Sequence, residues 1–223
     1  MKSTSNTTEH FHLLLKDFLK VAFLLTQSQQ SFNLEDFAGK LSRTIEEAKA
    51  LLSVLISLNM VKLVGKASGN YQITIGGRNN LRIVMTGGAF DILHLGHLKT
   101  LQAAKTHGDL LFVVVASDQT VERNKGRPPM NSQNNRMALL SHIDIIDKVV
   151  AGASDPEKFI ETVGLIQPDV IALGYDQSLS EERLLKMLHD KGETNIEIIR
   201  LEANVPDEKT SLKMQSIDDH SFD

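Results

Sequence analysis

The 223-residue chain contains no cysteine. That excludes a disulfide framework, a cysteine metal cluster and thiol chemistry, and it fits a reducing cytoplasm. A long uninterrupted apolar run is also missing. The most apolar N-terminal stretch, LLLKDFLKVAFLL at 13–25, is broken by Lys16, Asp17 and Lys20. It is too short to span a bilayer, so a soluble protein with no signal peptide and no membrane contact is expected. Net positive charge is missing beyond the front of the chain. Residues 1–80 carry 9 Lys and Arg against 6 Asp and Glu, a balance of +3, whereas residues 81–223 carry 15 against 22, a balance of −7. The second balance argues against a nucleic-acid surface there, although a small phosphate pocket can coexist with it. What is present is 41% apolar residues in a chain long enough for one large or two small domains, neither disordered nor fibrous.

Two kinds of pattern divide the chain near residue 80. In residues 1–80, helical spacing marks 9–27, 33–41 and 44–60, the second opening on Asn33 and the third on the capping-box pair Thr44 and Glu47. VKLV and YQITI follow as short β-rich runs around GKASGN, a hairpin with a loose tip. This order resembles a winged helix-turn-helix domain, with 44–58 in the recognition-helix position and 65–70 as the wing. DNA binding through residues 1–80 would require basic or amide side chains at the front of that helix, where Glu46 and Glu47 stand instead. Lys49, Lys62 and Lys66 read as a solvated face, and packing or dimerisation is the preferred use. Residues 81–223 alternate apolar runs of strand length (81–86, 110–117, 147–152, 170–174 and 196–201) with helical stretches near 96–107, 133–142, 155–164 and 180–191. The expected fold class is α/β, a Rossmann-like doubly wound parallel sheet covered on both faces. Its ligands belong at the carboxyl ends of the strands, near the switch point.

The segment GGAFDILHLGH, residues 87–97, sits at such a strand end. With the strand ending at Thr86, Gly87 and Gly88 allow a tight turn and close approach of a ligand, and a helix begins near Leu95 whose N-terminus attracts anions. His94 and His97, three apart in the first turn, fall on one side and reach the same phosphate, while Gly96 removes a side chain between them. A metal pair on a helix more often uses i, i+4 spacing, and no Cys, Asp or Glu stands ready to complete a set, so no metal ligand is assigned.

This segment resembles the signature of the nucleotidylyltransferase superfamily, the HxGH enzymes that include glycerol-3-phosphate cytidylyltransferase, phosphopantetheine adenylyltransferase and the archaeal FAD synthetases. NKGRPP (124–129), NNR ending at Arg136, LGYDQ (173–177) and EKTSLKM (208–214) follow in the family's order. FDILHLGH, KGRPP and LGYDQ together are most similar to the archaeal FAD synthetases, which transfer AMP from ATP to FMN. Ala89 departs from the Thr or Cys common at its position, and EKTSLKM matches only loosely.

The resemblance implies direct attack of a phosphate oxygen on the α-phosphorus, which calls for alignment and charge stabilisation rather than a covalent intermediate. His94 and His97 would donate to α-phosphate oxygens, and Lys125 and Arg127 would close over phosphates of either substrate. Gly87, Gly88, Ala89, Phe90, Asp91 and Gly96 form the expected nucleotide cradle, with Asp91 alternatively fixing the turn. Arg136 is expected to contact nucleotide or phosphate, or else to be a surface arginine paired to an acid. Gly174 would permit close approach and Asp176 would accept from the ribose or base, or simply shape a turn. Thr210 and Ser211 would cap a final helix holding the β- and γ-phosphates, with Lys209 adding charge. Mg2+ is expected with the triphosphate, and a homodimer is expected from the family. The alternatives are CTP transfer to a phosphoalcohol such as glycerol 3-phosphate and, in another class, a winged-helix regulator whose second domain, 81–223, senses a nucleotide.

Overall fold

Parallel strands leave unpaired N–H groups where they start and unpaired C=O groups where they end, and the larger unit of this protein is organised around both edges. The computed structural model describes residues 3–65, 69–155, 158–175, 177 and 179–202, with side chains from Leu14 onward. It divides into two compact units, Met1–Leu81 and Arg82–Asp223. No helix among the described residues is long and apolar enough to cross a membrane.

The first unit is helical. It runs α1 (Ser3–Gln29), α2 (Leu34–Leu41), α3 (Ile45–Ser57), an antiparallel hairpin β1 (Val61–Val64) and β2 (Asn70–Ile73), then α4 (Ile75–Arg78). Both sequence-predicted caps form as reciprocal boxes. Asn33 accepts from the Asp36 amide at 2.7 Å, and Thr44 accepts from the Glu47 amide at 3.2 Å while Glu47 accepts from the Thr44 amide at 2.9 Å. Leu19, Phe23, Phe32, Phe37, Leu52 and Leu55 fill the interior. The second strand stops at Ile73, short of the expected 75, because the Thr74 hydroxyl accepts the Gly77 amide at 2.9 Å and starts α4.

The second unit carries β3 (Ile83–Gly88), α5 (Leu95–Lys105), β4 (Leu110–Val115), α6 (Asp118–Lys125), α7 (Gln133–Leu140), β5 (Lys148–Ala151), α8 (Lys158–Ile166), β6 (Val170–Leu173), α9 (Glu181–His189) and β7 (Glu197–Arg200). The five strands are all parallel in the order β5-β4-β3-β6-β7, the expected Rossmann-like α/β architecture. The chain builds outward from β3 through β4 to β5 and then crosses back to lay β6 on the other side of β3. The switch point therefore lies between the carboxyl ends of β3 and β6. All six residues of β4 and all four of β6 are buried, as continuous apolar runs require, whereas β5 and β7 at the edges are partly exposed. Thr86 is the polar exception inside β3, and its hydroxyl is satisfied by donating to Ala172 O at 2.8 Å.

Three carboxylates close the starting edge. Asp109 accepts the Arg82 amide at 2.8 Å, Asp169 accepts the Ile83 amide at 2.6 Å, and Asp147 accepts the Leu111 amide at 2.6 Å while pairing with Lys105. Gly108, in the turn leading to β4, packs directly on the chain entering β3: a Cβ there would lie 2.5 Å from Arg82 O and 2.7 Å from Val84 Cγ2. Gly108→Ala should therefore cost about 1–3 kcal/mol, the usual toll of overpacking. Urea denaturation with an unchanged midpoint would show that the backbone relaxes there freely.

Candidate active site

The carboxyl end of β3 differs from its sequence reading. The strand does not end at Thr86 but runs through both glycines, because pairing with β4 continues from Gly87 to Val114 and from Gly88 to Val115. Gly87 and Gly88 are thus strand residues, not turn residues. A Cβ on Gly88 would stand 2.9 Å from the Phe90 ring, so its missing side chain makes room for that ring. The left-handed step is taken by Phe90 itself, at φ 49. For a bulky side chain that costs about 1–3 kcal/mol, and the price is met by burying the ring against His97, with centroids 5.3 Å apart.

His94 is the N-cap residue of α5 in extended backbone, and its carbonyl accepts the His97 amide at 3.0 Å. Its side chain does not cap the helix. Instead the two imidazoles lie together, centroids 3.9 Å apart and planes 33° from parallel, both partly exposed and with both Nδ1 atoms buried. Gly96, between them in the first turn, is partly exposed. The pair stands where the helix N-terminus directs its amides and positive dipole end.

Asp91 has a fully buried side chain. Its carboxylate accepts the Met130 amide at 2.7 Å and the Asn131 amide at 3.1 Å and pairs with Arg127 at 3.4 Å, while Asn131 Nδ2 donates to Asp91 O at 2.9 Å. Its visible work is to bind the α6–α7 connection to the β3–α5 loop, and it is the connection, more than a turn at the glycines, that it fixes. Arg127, partly exposed, also donates to Pro128 O. Lys125 is the exposed last residue of α6, which Gly126 closes in the left-handed region at φ 70.

Arg136 is paired to an acid, Asp118, as one of its two readings had it, but it is not at the surface: it is wholly buried at 0% exposure in α7. Nε donates to Asn131 O at 2.9 Å, Nη1 to Ala89 O, and Nη2 to Ala116 O and Asp118 Oδ1, both at 2.7 Å. With its donors turned on protein acceptors, Arg136 knits together the chain beyond β3, the chain beyond β4 and the α6–α7 connection.

Three further residues, overlooked in the sequence, share this edge. Gln133 Nε2 donates to Val115 O at 2.8 Å and Gly152 O at 2.9 Å, Gln177 Nε2 donates to Gly87 O, and Arg200 donates to Gly174 O at 3.1 Å. Gln177 lies inside the LGYDQ motif, next but one to Tyr175; Gln133 and Arg200 belong to no pattern. The structure thus gathers Gly87, Gly88, Ala89, Phe90, Asp91, His94, Gly96, His97, Arg127 and Arg136 at or beside the end of β3, and Gly174 at the end of β6 across the switch point. Asp176, Lys209, Thr210 and Ser211 lie outside the described residues. Among the described residues no three His, Cys, Asp or Glu side chains converge as a metal cage.

The sequence was also compared with known proteins. Residues 85–215 match the cytidylyltransferase-like family. A FAD synthase of Pyrococcus horikoshii is 43% identical over 127 residues, covering 57% of this chain and 84% of that protein. A FAD synthase of Thermococcus sibiricus is 46% identical over 118 residues, covering 53% and 78%. A solved structure described as the lipopolysaccharide core biosynthesis protein of Thermoplasma volcanium is 39% identical with a TM-score of 0.53, over 56% of this chain and 99% of that one.

Replacing Arg136 by Met preserves much of the volume but leaves three carbonyls and Asp118 without their donor. The expected loss of stability is about 3 kcal/mol or more, from three carbonyls that lose their charged donor. A loss below about 1 kcal/mol in chemical denaturation, the level of a solvent-screened pair, would contradict the buried role.

Proposed function

Since the chain belongs to the cytidylyltransferase-like family and covers most of the length of FAD synthases more than 40% identical to it, we propose that it is a nucleotidyltransferase that transfers AMP from ATP to FMN, giving FAD and pyrophosphate. The observation that carries this reading is the match to several FAD synthases at 41–46% identity. It favours ATP and FMN over CTP and a phosphoalcohol.

The chemistry asks for little covalent participation by the protein. An FMN phosphate oxygen attacks the α-phosphorus of ATP, a P–O bond forms, and the bond to the departing pyrophosphate breaks. His94 and His97, stacked at the start of α5, donate to the α-phosphate oxygens as charge builds there, and the first amides of α5 share that load. Arg127 and Lys125 act on phosphate charge from the α6–α7 side. Gly87, Gly88, Ala89, Phe90 and Gly96 shape the floor, while Asp91 and Arg136 hold it rather than touch the nucleotide. Gly174 and Asp176 are assigned to the nucleoside, and Lys209, Thr210 and Ser211 to the β- and γ-phosphates, on the sequence motifs alone. A divalent cation accompanies ATP in nucleotidyl transfer of this kind. Mg2+, which is commonly held through substrate phosphates with one or two carboxylates rather than in an all-protein cage, would suit that role. Such an ion neutralises triphosphate charge.

Residues 1–80 are read as a winged-helix-like module for packing or homodimerisation, and residues 81–223 as the transferase domain of a cytoplasmic protein. DNA binding is not favoured. The first turn of α3 carries Glu46 and Glu47, and the Thr44 amide, then the Thr44 hydroxyl, hold the Glu47 carboxyl below its ordinary pKa. Negative charge thus stands where a recognition helix would meet phosphate.

Purified protein with Mg2+, ATP and FMN should release pyrophosphate and form FAD, and a chelator should stop it; consumption of CTP with glycerol 3-phosphate instead would replace the assignment. His97→Ala should lower kcat by roughly 100- to 1,000-fold, the effect of removing an oxyanion-type donor. Turnover within threefold of the parent would remove His97 from the reaction.

A further inference from the structure

We infer that Arg200, the last residue of the edge strand β7, is a positioning residue for the nucleoside side of the site. Its guanidinium spreads over the β6–α9 loop. Nη1 donates to Gly174 O at 3.1 Å and Gln177 O at 3.3 Å, Nη2 to Leu179 O at 2.8 Å, and Nε to Glu181 at 3.1 Å, in the first turn of α9. A flexible connection rarely offers one side chain three carbonyls and a carboxylate. Here the planar fork of Arg matches that fan, which a single ammonium point cannot. The far side of the same loop is tied as well. The Gln177 amide nitrogen of the main chain donates to Gly174 O at 3.2 Å, and Gln177 Nε2 donates to Gly87 O in β3. Gly174, Gln177 and Leu179 are thus tied to Arg200 on one side and, through Gln177, to Gly87 in the floor of the histidine cradle on the other.

The loop on the opposite side of the cradle is held independently, by Asp91 and Arg136. Loosening Arg200 therefore disturbs the β6 side alone. The inference rests on the reading above, in which Gly174 and Asp176 meet the nucleoside of ATP. Arg200 acts through the loop and is not assigned a substrate contact. Its side chain is 31% exposed, so water can satisfy the carbonyls it leaves, and the fold survives its loss.

The test uses the full chain, with FAD formation measured across ATP and FMN concentrations and thermal denaturation run in parallel. Arg200→Ala should raise the KM for ATP roughly tenfold, the scale of an effect passed on through supporting residues, with the KM for FMN within twofold and the melting temperature little changed. Arg200→Lys should remain close to the Ala variant, because charge without the fork does not span the loop. Gln177→Ala, which removes only the tie to Gly87, should show the same ATP-selective rise, and it carries the test should Arg200→Ala fail to fold. A parent protein that makes no FAD overturns the functional reading beneath the inference. With an active parent, an unchanged KM for ATP, equal rises for both substrates, or full recovery in Arg200→Lys overturns the inference itself.

Discussion

The guanidinium of Arg136 sits where no water reaches it, and the candidate site depends on its staying there. Ala89 O, Ala116 O and Asn131 O come from three separate stretches of chain, and each would lose a hydrogen bond to a charged donor, worth about 1.5–3 kcal/mol, without it. One side chain meets all three and draws its counter-charge from Asp118. Asp91 performs the matching task for amides, taking those of Met130 and Asn131. Between them a cation and an anion turn loops into a rigid frame, and the histidines inherit their geometry from that frame.

The same logic extends over the whole sheet. At the starts of the strands, where N–H groups lack partners, the side chains supplied are acceptors: Asp109, Asp147 and Asp169. At the ends, where C=O groups lack partners, they are donors: Gln133, Arg136, Gln177 and Arg200. Backbone polarity thus sorts charge by edge. A domain with a balance of −7 thereby gathers cationic and amide side chains at the carboxyl end of its sheet, where main-chain carbonyls hold them.

The alternation of buried strands and helices was legible because a parallel sheet hides both faces and so writes continuous apolar runs. The histidine pair was legible because three-residue spacing in a first helical turn admits few arrangements. Other features depend on partners far away in sequence. Arg136 reads in isolation like any helical arginine; only the convergence of Ala89, Asn131 and Ala116 makes it internal. The glycines read as a turn, yet pairing with Val114 and Val115 keeps them in the strand and hands the left-handed step to Phe90. Arg200 carried no signal, because the carbonyls it gathers are main-chain groups with no side-chain signature.

The strand order has a consequence for how the crevice comes into being. The amide of Arg82 meets Asp109 over a separation of 27 residues, while Thr86 meets Ala172 over 86. By the logarithmic cost of loop closure the longer contact is dearer by about 1 kcal/mol, and in a chain emerging from the ribosome it also waits for residues not yet made. The half built on β3, β4 and β5 gains order first, with the histidine cradle on its rim, and β6 joins later. The boundary between β3 and β6 is therefore a suture line between an early half and a late one, and a nascent chain holds the histidine-bearing rim for some time before it acquires the strand beside it.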